Sequence, residues 1–381
     1  MSRVLTTNRL SETHHAARMA RLSRAVEAAG IGSLLVTNPK DVGYLTGFLG
    51  GDSYLLVPAG YGESKSAISV LVSDFRYKEE LEPIENAGLA RVHIRSRSMA
   101  EALVEVLGSE RVGVQAEHMT IAEKAAIGRK LGAGGIKRLA GTVGLVSRLR
   151  IVKDEHEVGL IRKAAKIQQA ALEAVLPTIK PGQTELEIAA RLEAEMKTRG
   201  SSEPGFQTIV AAGANGSLPH HRPSSKKISA NKPVLIDWGA VFKGYHSDMT
   251  RTFTLGKWPT KLREIYLIVL EAQQAAAAAL APGKMTEAID GVARKIITRH
   301  GYAEFFGHGL GHGLGLNGHE DPRLTNMLAP QRLEAGMVVT IEPGIYLPGV
   351  GGVRIEDDYV ITENGADNLC SMSKALEWAV L

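Results

Sequence analysis

The chain has 381 residues, 44% apolar and 23% charged, and its 45 Lys and Arg against 41 Asp and Glu leave a net charge of +4. That balance belongs to a folded globular protein and excludes a disordered chain, a collagen and a disulfide scaffold. So small a surplus gives no reason to expect nucleic acid as a partner. Cys370 is the single cysteine, which rules out an intrachain disulfide and cysteine-based zinc sites and fits a reducing compartment, the cytoplasm. Residues 1–30 lack the apolar core of a leader peptide, and no apolar run approaches about 18 residues, so no membrane span is expected.

In chain order, residues 15–29 read as an amphipathic helix with Met19, Leu22, Val26 and Ala29 on one face. A buried strand follows over Ile31–Val36 and ends at Asn38-Pro39. Strands are predicted at Tyr54–Val57, Ile68–Val72 and Val112–Val114, and helices at Met99–Leu107 and Thr120–Leu131. This alternation predicts an α/β first domain over residues 1–150. A second domain, 151–381, opens with a long helix over Lys153–Leu176, closed by Pro177 and Pro181-Gly182. The next helix starts at Thr184 with both parts of a capping box and ends at Gly200.

The passage QQAALEAVLPTIKPG returns as QQAAAAALAPG; 101 residues separate Pro181 from Pro282, and 101 separate Gly200 from Gly301. The spacing predicts a duplicated α+β unit about a pseudo-two-fold axis, with a site at the joint between its halves.

The strand Val234–Trp238 carries Asp237, and the strand Tyr245–Leu255 carries Asp248. A hairpin turning between Phe242 and Lys243 would set the two aspartates directly opposite each other. Met337–Ile341 delivers Glu342, and Val353–Ile361 carries Glu356, both equidistant from Gly349. Two facing carboxylate pairs are unfavourable unless a shared proton or a divalent cation neutralises them. Four carboxylates call for roughly two divalent cations, and oxygen donors with an imidazole suit Mn²⁺, Co²⁺ or Zn²⁺.

The imidazoles come from FGHGLGHGLGLNGHE, where His308, His312 and His319 lie among six glycines. That glycine density argues against a helix, and in an extended segment His308 and His312 share one side. Gly313–Gly318 also fits G-x-G-x-x-G, but a dinucleotide site needs a strand before it and a helix after it, and His319-Glu320-Asp321-Pro322 blocks the helix.

Asp237-x-Gly239, Ser247-Asp248-x-Thr250-Arg251-Thr252, His308 through His319, Glu342-Pro343-Gly344 and Arg354-Ile355-Glu356-Asp357 together resemble the pita-bread metallopeptidases, in particular the proline-specific branch of aminopeptidase P and prolidase. Asn38-Pro39, Tyr44–Phe48 and Ser73–Tyr77 are similar to the creatinase-type N-terminal domain. The resemblance implies an α/β creatinase-like domain followed by an α+β pita-bread catalytic domain with a pseudo-two-fold repeat. It implies two divalent ions per subunit, Mn²⁺ first, with Co²⁺ or Zn²⁺ as alternatives. Asp237 would chelate one ion, Asp248 and Glu356 would bridge both, and His312 and Glu342 would complete the second. His220 would lie near the leaving proline, His308 and His319 would contact substrate, and Arg354 would support the ligands or touch substrate. Glu342 would also carry the proton to the leaving nitrogen.

The expected substrate is a peptide with proline at its second position. Creatinase and non-catalytic binding relatives, in which the ligand set is broken, are the more distant alternative. Prolidases carry an arginine about fourteen residues before the residue matching Glu342; here Leu328 stands there, with Arg323 and Arg332 off register. This tilts the reading to an Xaa-Pro aminopeptidase, with Xaa-Pro dipeptidase as the alternative. A homodimer is expected, with the first domain bordering the partner's cleft and Tyr44–Phe48 at the interface or cleft wall.

Overall fold

A computed structural model describes residues 12–63 and 67–381, and the side chains of all of these but 12 and 13. Part of the leader-peptide reading, residues 1–11, therefore lies outside the described residues. The chain divides into two compact units, Met1–Arg150 and Ile151–Leu381.

The first unit runs α1 (Glu12–Ala28), β1 (Ser33–Val36), α2 (Pro39–Thr46), β2 (Tyr54–Pro58), β3 (Ser69–Ser73), α3 (Lys78–Asn86), β4 (Ala90–Ile94), α4 (Met99–Val106), β5 (Val112–Gln115), α5 (Ile121–Lys130), α6 (Gly135–Arg138) and β6 (Leu139–Thr142). Its strands form one sheet in the order β4-β3-β2-β1-β5-β6. The pairs β3–β4, β1–β5 and β5–β6 are parallel, and the rest are antiparallel. Asn38-Pro39 ends β1 as expected but also starts α2: the Asn38 side chain accepts from Lys40 N–H, and proline suits the first helical turn. Tyr44, Leu45 and Phe48 are buried, with Arg18 donating to the Tyr44 carbonyl and the Phe48 ring edge-on to Tyr77. This corrects the expectation that Tyr44–Phe48 offers an interface, because an apolar stretch on a helix that closes its own core is not available to a partner.

The chain passes through α7 (Ser147–Ile151) into the second unit, which reads twice as two helices and then strands. The first half holds α8 (Glu155–Val175), α9 (Glu185–Thr198), β7 (Ile209–Ala212), β8 (Pro233–Trp238), β9 (Val241–Phe242), β10 (Tyr245–His246) and β11 (Met249–Thr254). The second holds α10 (Thr260–Ala278), α11 (Thr286–Arg299), β12 (Gly311–Gly313), β13 (Glu320–Leu324), β14 (Val338–Ile341), β15 (Gly344–Leu347), β16 (Gly351–Arg354), β17 (Asp357–Thr362) and β18 (Gly365–Asn368). α8 and α9 both begin in full capping boxes, Asp154 with Glu157 and Thr184 with Glu187. Gly200 and Gly301 follow α9 and α11 at φ 101° and 81°, a backbone that glycine adopts without cost. The helix pairs α8–α9 and α10–α11 repeat as the 101-residue spacing predicts, and the sheets run β11-β8-β7 and β13-β12-β14-β17-β18.

Among the described residues, no helix is long and apolar enough to cross a membrane.

Candidate metal centre and cleft

Asp237 lies on β8, while Asp248, Glu342 and Glu356 sit just off the ends of β11, β14 and β17, and the strand registers decide how the side chains meet. β8 and β11 pair Asp237 with Thr250, not with Asp248. The small hairpin β9–β10 turns on Lys243-Gly244, both at positive φ, 50° and 84°. Such a two-residue turn matches the twist of the strands it joins, and it centres the hairpin one residue later than expected. The partner of Asp237 therefore moves by two, which keeps both aspartates on one face but makes them diagonal neighbours. The second pair has the expected register. β14 pairs Ile341 with Asp357, β15 pairs Gly344 with Arg354, and Glu342 and Glu356 fall opposite each other in the break between.

The third contribution is β12, whose glycines admit close backbone. A Cβ on Gly311 would stand 2.0 Å from the Thr340 carbonyl oxygen. The His312 backbone N–H donates to Thr340 Oγ1, and its Nδ1 lies 3.0 Å from the Gly313 carbonyl. A carbonyl only accepts, so Nδ1 carries the proton and Nε2 keeps its lone pair. That Nε2 stands 3.4 Å from Glu342 Oε1 and 3.7 Å from Asp248 Oδ2. Donor atoms of Asp248, His312 and Glu356 lie within 4.8 Å of one another. Asp237 joins through Arg354, which donates to its Oδ2 at 2.5 Å, while Oδ1 is buried with no hydrogen-bond partner among the described residues.

This concentration of buried acid strains the charge balance. Burial, then the Glu356 and Asp237 carboxylates, push Asp248 well above the usual range. Burial and Glu356 do the same to Glu342, and burial followed by Asp237 pushes Glu356 up to about 8. Burial holds His312 down to about 3, so its ring stays neutral and able to ligate. Carboxylate oxygens, one free imidazole nitrogen and an orphaned Asp237 oxygen form a donor set that fits divalent cations of the Mn²⁺, Co²⁺ or Zn²⁺ kind.

The cluster of carboxylates and imidazole opens on a cleft of about 770 Å³, also lined by His220, His308, His319, Arg323 and Arg354. His308 is fully engaged: Nδ1 faces the Gly309 carbonyl at 2.8 Å and Nε2 faces Tyr346 Oη at 2.8 Å. Burial and the nearby Arg354 charge lower it to about 4. Arg354 donates to Tyr346 Oη and, through Nε, to Thr250 Oγ1, which itself donates to Glu356. His319 stacks beside His312 with ring centroids 3.9 Å apart. The side chains of His220, His319, Arg222 and Arg323 have no hydrogen-bond or ion-pair partner among the described residues. All nine residues singled out in the sequence thus line one cleft; Arg222 on the same wall, and the buried Tyr346 that bonds His308 and Arg354, were missed. For Tyr346 a signal existed, since it lies an even number of residues beyond Glu342 on a strand. The G-x-G-x-x-G stretch leads from β12 to β13 with no helix after it, as expected.

A model of metallopeptidase family M24 matches residues 159–363, and a creatinase/prolidase N-terminal domain matches residues 18–152. A Bacillus subtilis protein described as an uncharacterized peptidase is 36% identical over 366 residues, covering 94% of this chain and 99% of that one. The Xaa-Pro dipeptidase of Pyrococcus furiosus is 46% identical over 232 residues, 61% of this chain and 66% of that one. Among solved structures, an Xaa-Pro dipeptidase from Bacillus anthracis superposes with TM-score 0.89 at 34% identity, covering 96% of this chain and all of that one. An X-Pro aminopeptidase from Thermotoga maritima gives 0.82 at 30% identity, covering 94% of this chain and all of that one. The chain belongs to metallopeptidase family M24, with a pita-bread catalytic domain behind a creatinase-type N-terminal domain. It is a proline-specific metallopeptidase, which implies divalent metal and a peptide substrate.

Proposed function

We propose that this chain is an Xaa-Pro dipeptidase, with Asp237, Asp248, His312, Glu342 and Glu356 holding two divalent ions, Mn²⁺ first among them. The observation that carries the choice of dipeptide is Arg323. It is half-buried in the cleft, unpartnered among the described residues, and close enough that its charge adds to the lowering of His319 and partly offsets the rise of Glu342. A dipeptide ends in a carboxylate one residue beyond the scissile bond, and a guanidinium matches that group in charge and shape. A longer peptide would present a neutral amide there. The two dipeptidases named above support the same reading. Leu328, which tilted the sequence toward an aminopeptidase, lines the same cleft as an exposed apolar side chain, so the arginine function passes to Arg323 on β13.

When bound, the cations supply Lewis acidity and bring a water's pKa toward neutrality. The remaining work falls to the chain. His319 donates N–H to the oxygen that gains charge at the scissile carbonyl. Glu342 takes the proton from the attacking water and passes it to the proline nitrogen, which has no hydrogen of its own. Arg354 keeps Asp237 oriented through its hydrogen bond to Oδ2. His308, with both nitrogens bonded, acts as a cleft wall rather than a proton donor.

We also propose a cytoplasmic homodimer. The lone buried cysteine fits a reducing compartment, and two-fold dimers are the commonest soluble assembly. Leu49 and Phe75, 63% and 78% exposed on the first unit, replace Tyr44–Phe48 as interface candidates.

The deciding experiment compares an Xaa-Pro dipeptide with the matching Xaa-Pro-Xaa tripeptide, with Mn²⁺ and after chelation. The dipeptide should win in kcat/KM by at least about tenfold, and Arg323→Gln should raise its KM by about 10–100-fold, the scale of one charged hydrogen-bonded pair. A wild-type preference for the tripeptide would return the aminopeptidase reading.

A further inference from the structure

His220 and Arg222 stand on a stretch with little regular structure: one turn of 3₁₀ helix at Gly213–Ser217, then no helix or strand until Pro233. Such a segment would normally place its side chains loosely, yet these line the cleft beside Asp237. Backbone bonds such as Leu186 N–H to the Ser224 carbonyl fasten its far end, and a carboxylate outside the cleft ties its two sides together. Glu185, in the first turn of α9, is completely buried. Its Oε1 accepts from Ala212 N–H at 2.7 Å and Asn215 Nδ2 at 2.9 Å. Its Oε2 accepts from His221 Nε2 at 2.8 Å and from both Ser224 N–H and Oγ, at 3.0 and 2.6 Å. Five donors from both sides of the segment thus meet on one side chain. Burial raises the Glu185 carboxyl, but those donors outweigh it and leave the group below its ordinary value.

The other half of the repeat shows that helix architecture does not require this charge. Thr286, 101 residues on, opens α11 in the same way: its N–H donates to the Gln331 carbonyl as that of Glu185 does to Lys226. There a single hydroxyl suffices, accepting from Gln331 N–H. A buried carboxylate costs desolvation, so its place in the first half alone points to what that half carries. The far side of the same segment meets the site directly, through Arg354 Nη1 at 3.4 Å from the Pro219 carbonyl.

We propose that Glu185 is a positioning residue for substrate binding, which locks the segment 213–224 and through it sets His220 and Arg222 in the cleft wall. The inference rests on the reading of the cleft as the peptide site, and it holds for either peptide length.

The test is a double-mutant cycle with an independent structural readout. Glu185→Gln keeps the volume but turns an N–H₂ toward donors. It should raise KM for the better of the two peptides by about tenfold, with kcat within about threefold, the scale of one or two lost hydrogen bonds. In a His220→Ala, Arg222→Ala background the same change should add less than about twofold, because the groups it positions are gone. Hydrogen exchange should rise in peptides covering 213–228 and stay level in those covering 233–254, with Mn²⁺ content unchanged. Ser224→Ala, which removes one donor on the segment itself, should give a smaller shift of the same kind and serves if Glu185→Gln folds poorly. Multiplicative losses in the cycle would overturn the proposal, as would unchanged exchange at 213–228. The exchange and metal measurements use no substrate, so a failure of the dipeptidase reading leaves them intact and separately legible.

Discussion

Glu342 and Glu356 face each other across a break between two strand ladders that share one register, with Ile341 opposite Asp357 on one side and Gly344 opposite Arg354 on the other. Leaving the ladder at that point frees both backbones: Glu342 N–H turns to the Leu310 carbonyl and Glu356 N–H to that of Thr250. The glutamates are thereby stitched to β11 and to the segment leading into β12, the elements that supply Asp248 and His312. A cation held by these side chains therefore ties separate parts of the domain together.

Asp248→Asn should remove metal loading and lower kcat by at least about 10³-fold, since one fewer negative charge leaves the cations underbound. The fold should survive, because the backbone N–H of Asp248, not its side chain, is bonded to Asp358. Metal content and circular dichroism on the purified variant check this. Near-normal turnover at matched Mn²⁺ would take Asp248 out of the site.

His319→Ala should lower kcat by about 10²–10³ with metal content unchanged, the scale of one lost oxyanion donor. Its ring lies beside His312 but has no partner among the described residues, which leaves its N–H for substrate. A fall in metal content would instead make His319 a ligand.

The metal-free protein should lose stability as pH rises. The Glu356 carboxyl sits at about 8 in the fold against 4.5 ordinarily, so its contribution is present below 4.5 and is lost as pH climbs through 8. Asp248 and Glu342 are shifted the same way. His308, lowered from 6.5 to about 4, acts oppositely, losing stability as pH falls through that value. Between pH 6.5 and 8 the acids dominate, and Tm of the chelated protein should drop by about 4–8 °C. The Mn²⁺-loaded protein should stay level over the same window in calorimetry; parallel curves would show that the cations do not neutralise these groups.

Gly311→Ala should cost about 1–3 kcal/mol, because its Cβ would meet Thr340 backbone that has nowhere to go. His312 moves with β12, so Mn²⁺ affinity should fall by about 10–100-fold. Gly307→Ala is the control: open space surrounds that position, and the change should stay within about 0.5 kcal/mol. Equal Tm values for the two variants would show that β12 and β14 do not need the close approach.

Much of this site is written locally. Strand periodicity, the glycine-rich turn at Gly349 and the count of residues on either side were enough to place Glu342 opposite Glu356. The capping box at Thr184 and the 101-residue echo were enough to place α9 and to mark a second copy of it downstream. The aspartate register was not legible in the same way. It depended on Lys243 taking positive φ beside Gly244, a state a lysine rarely adopts. The roles of the histidines were decided at longer range still. His308 is occupied by Tyr346, 38 residues away, while His319 has no partner among the described residues. Arg323 looked misplaced in linear register and lies in the cleft because β13 folds back beside His312. Spacing along a chain specifies faces and turns, since those depend on a few adjacent dihedrals. Which polar atom is satisfied, and which is left free for a metal or a substrate, depends on residues that only packing brings together.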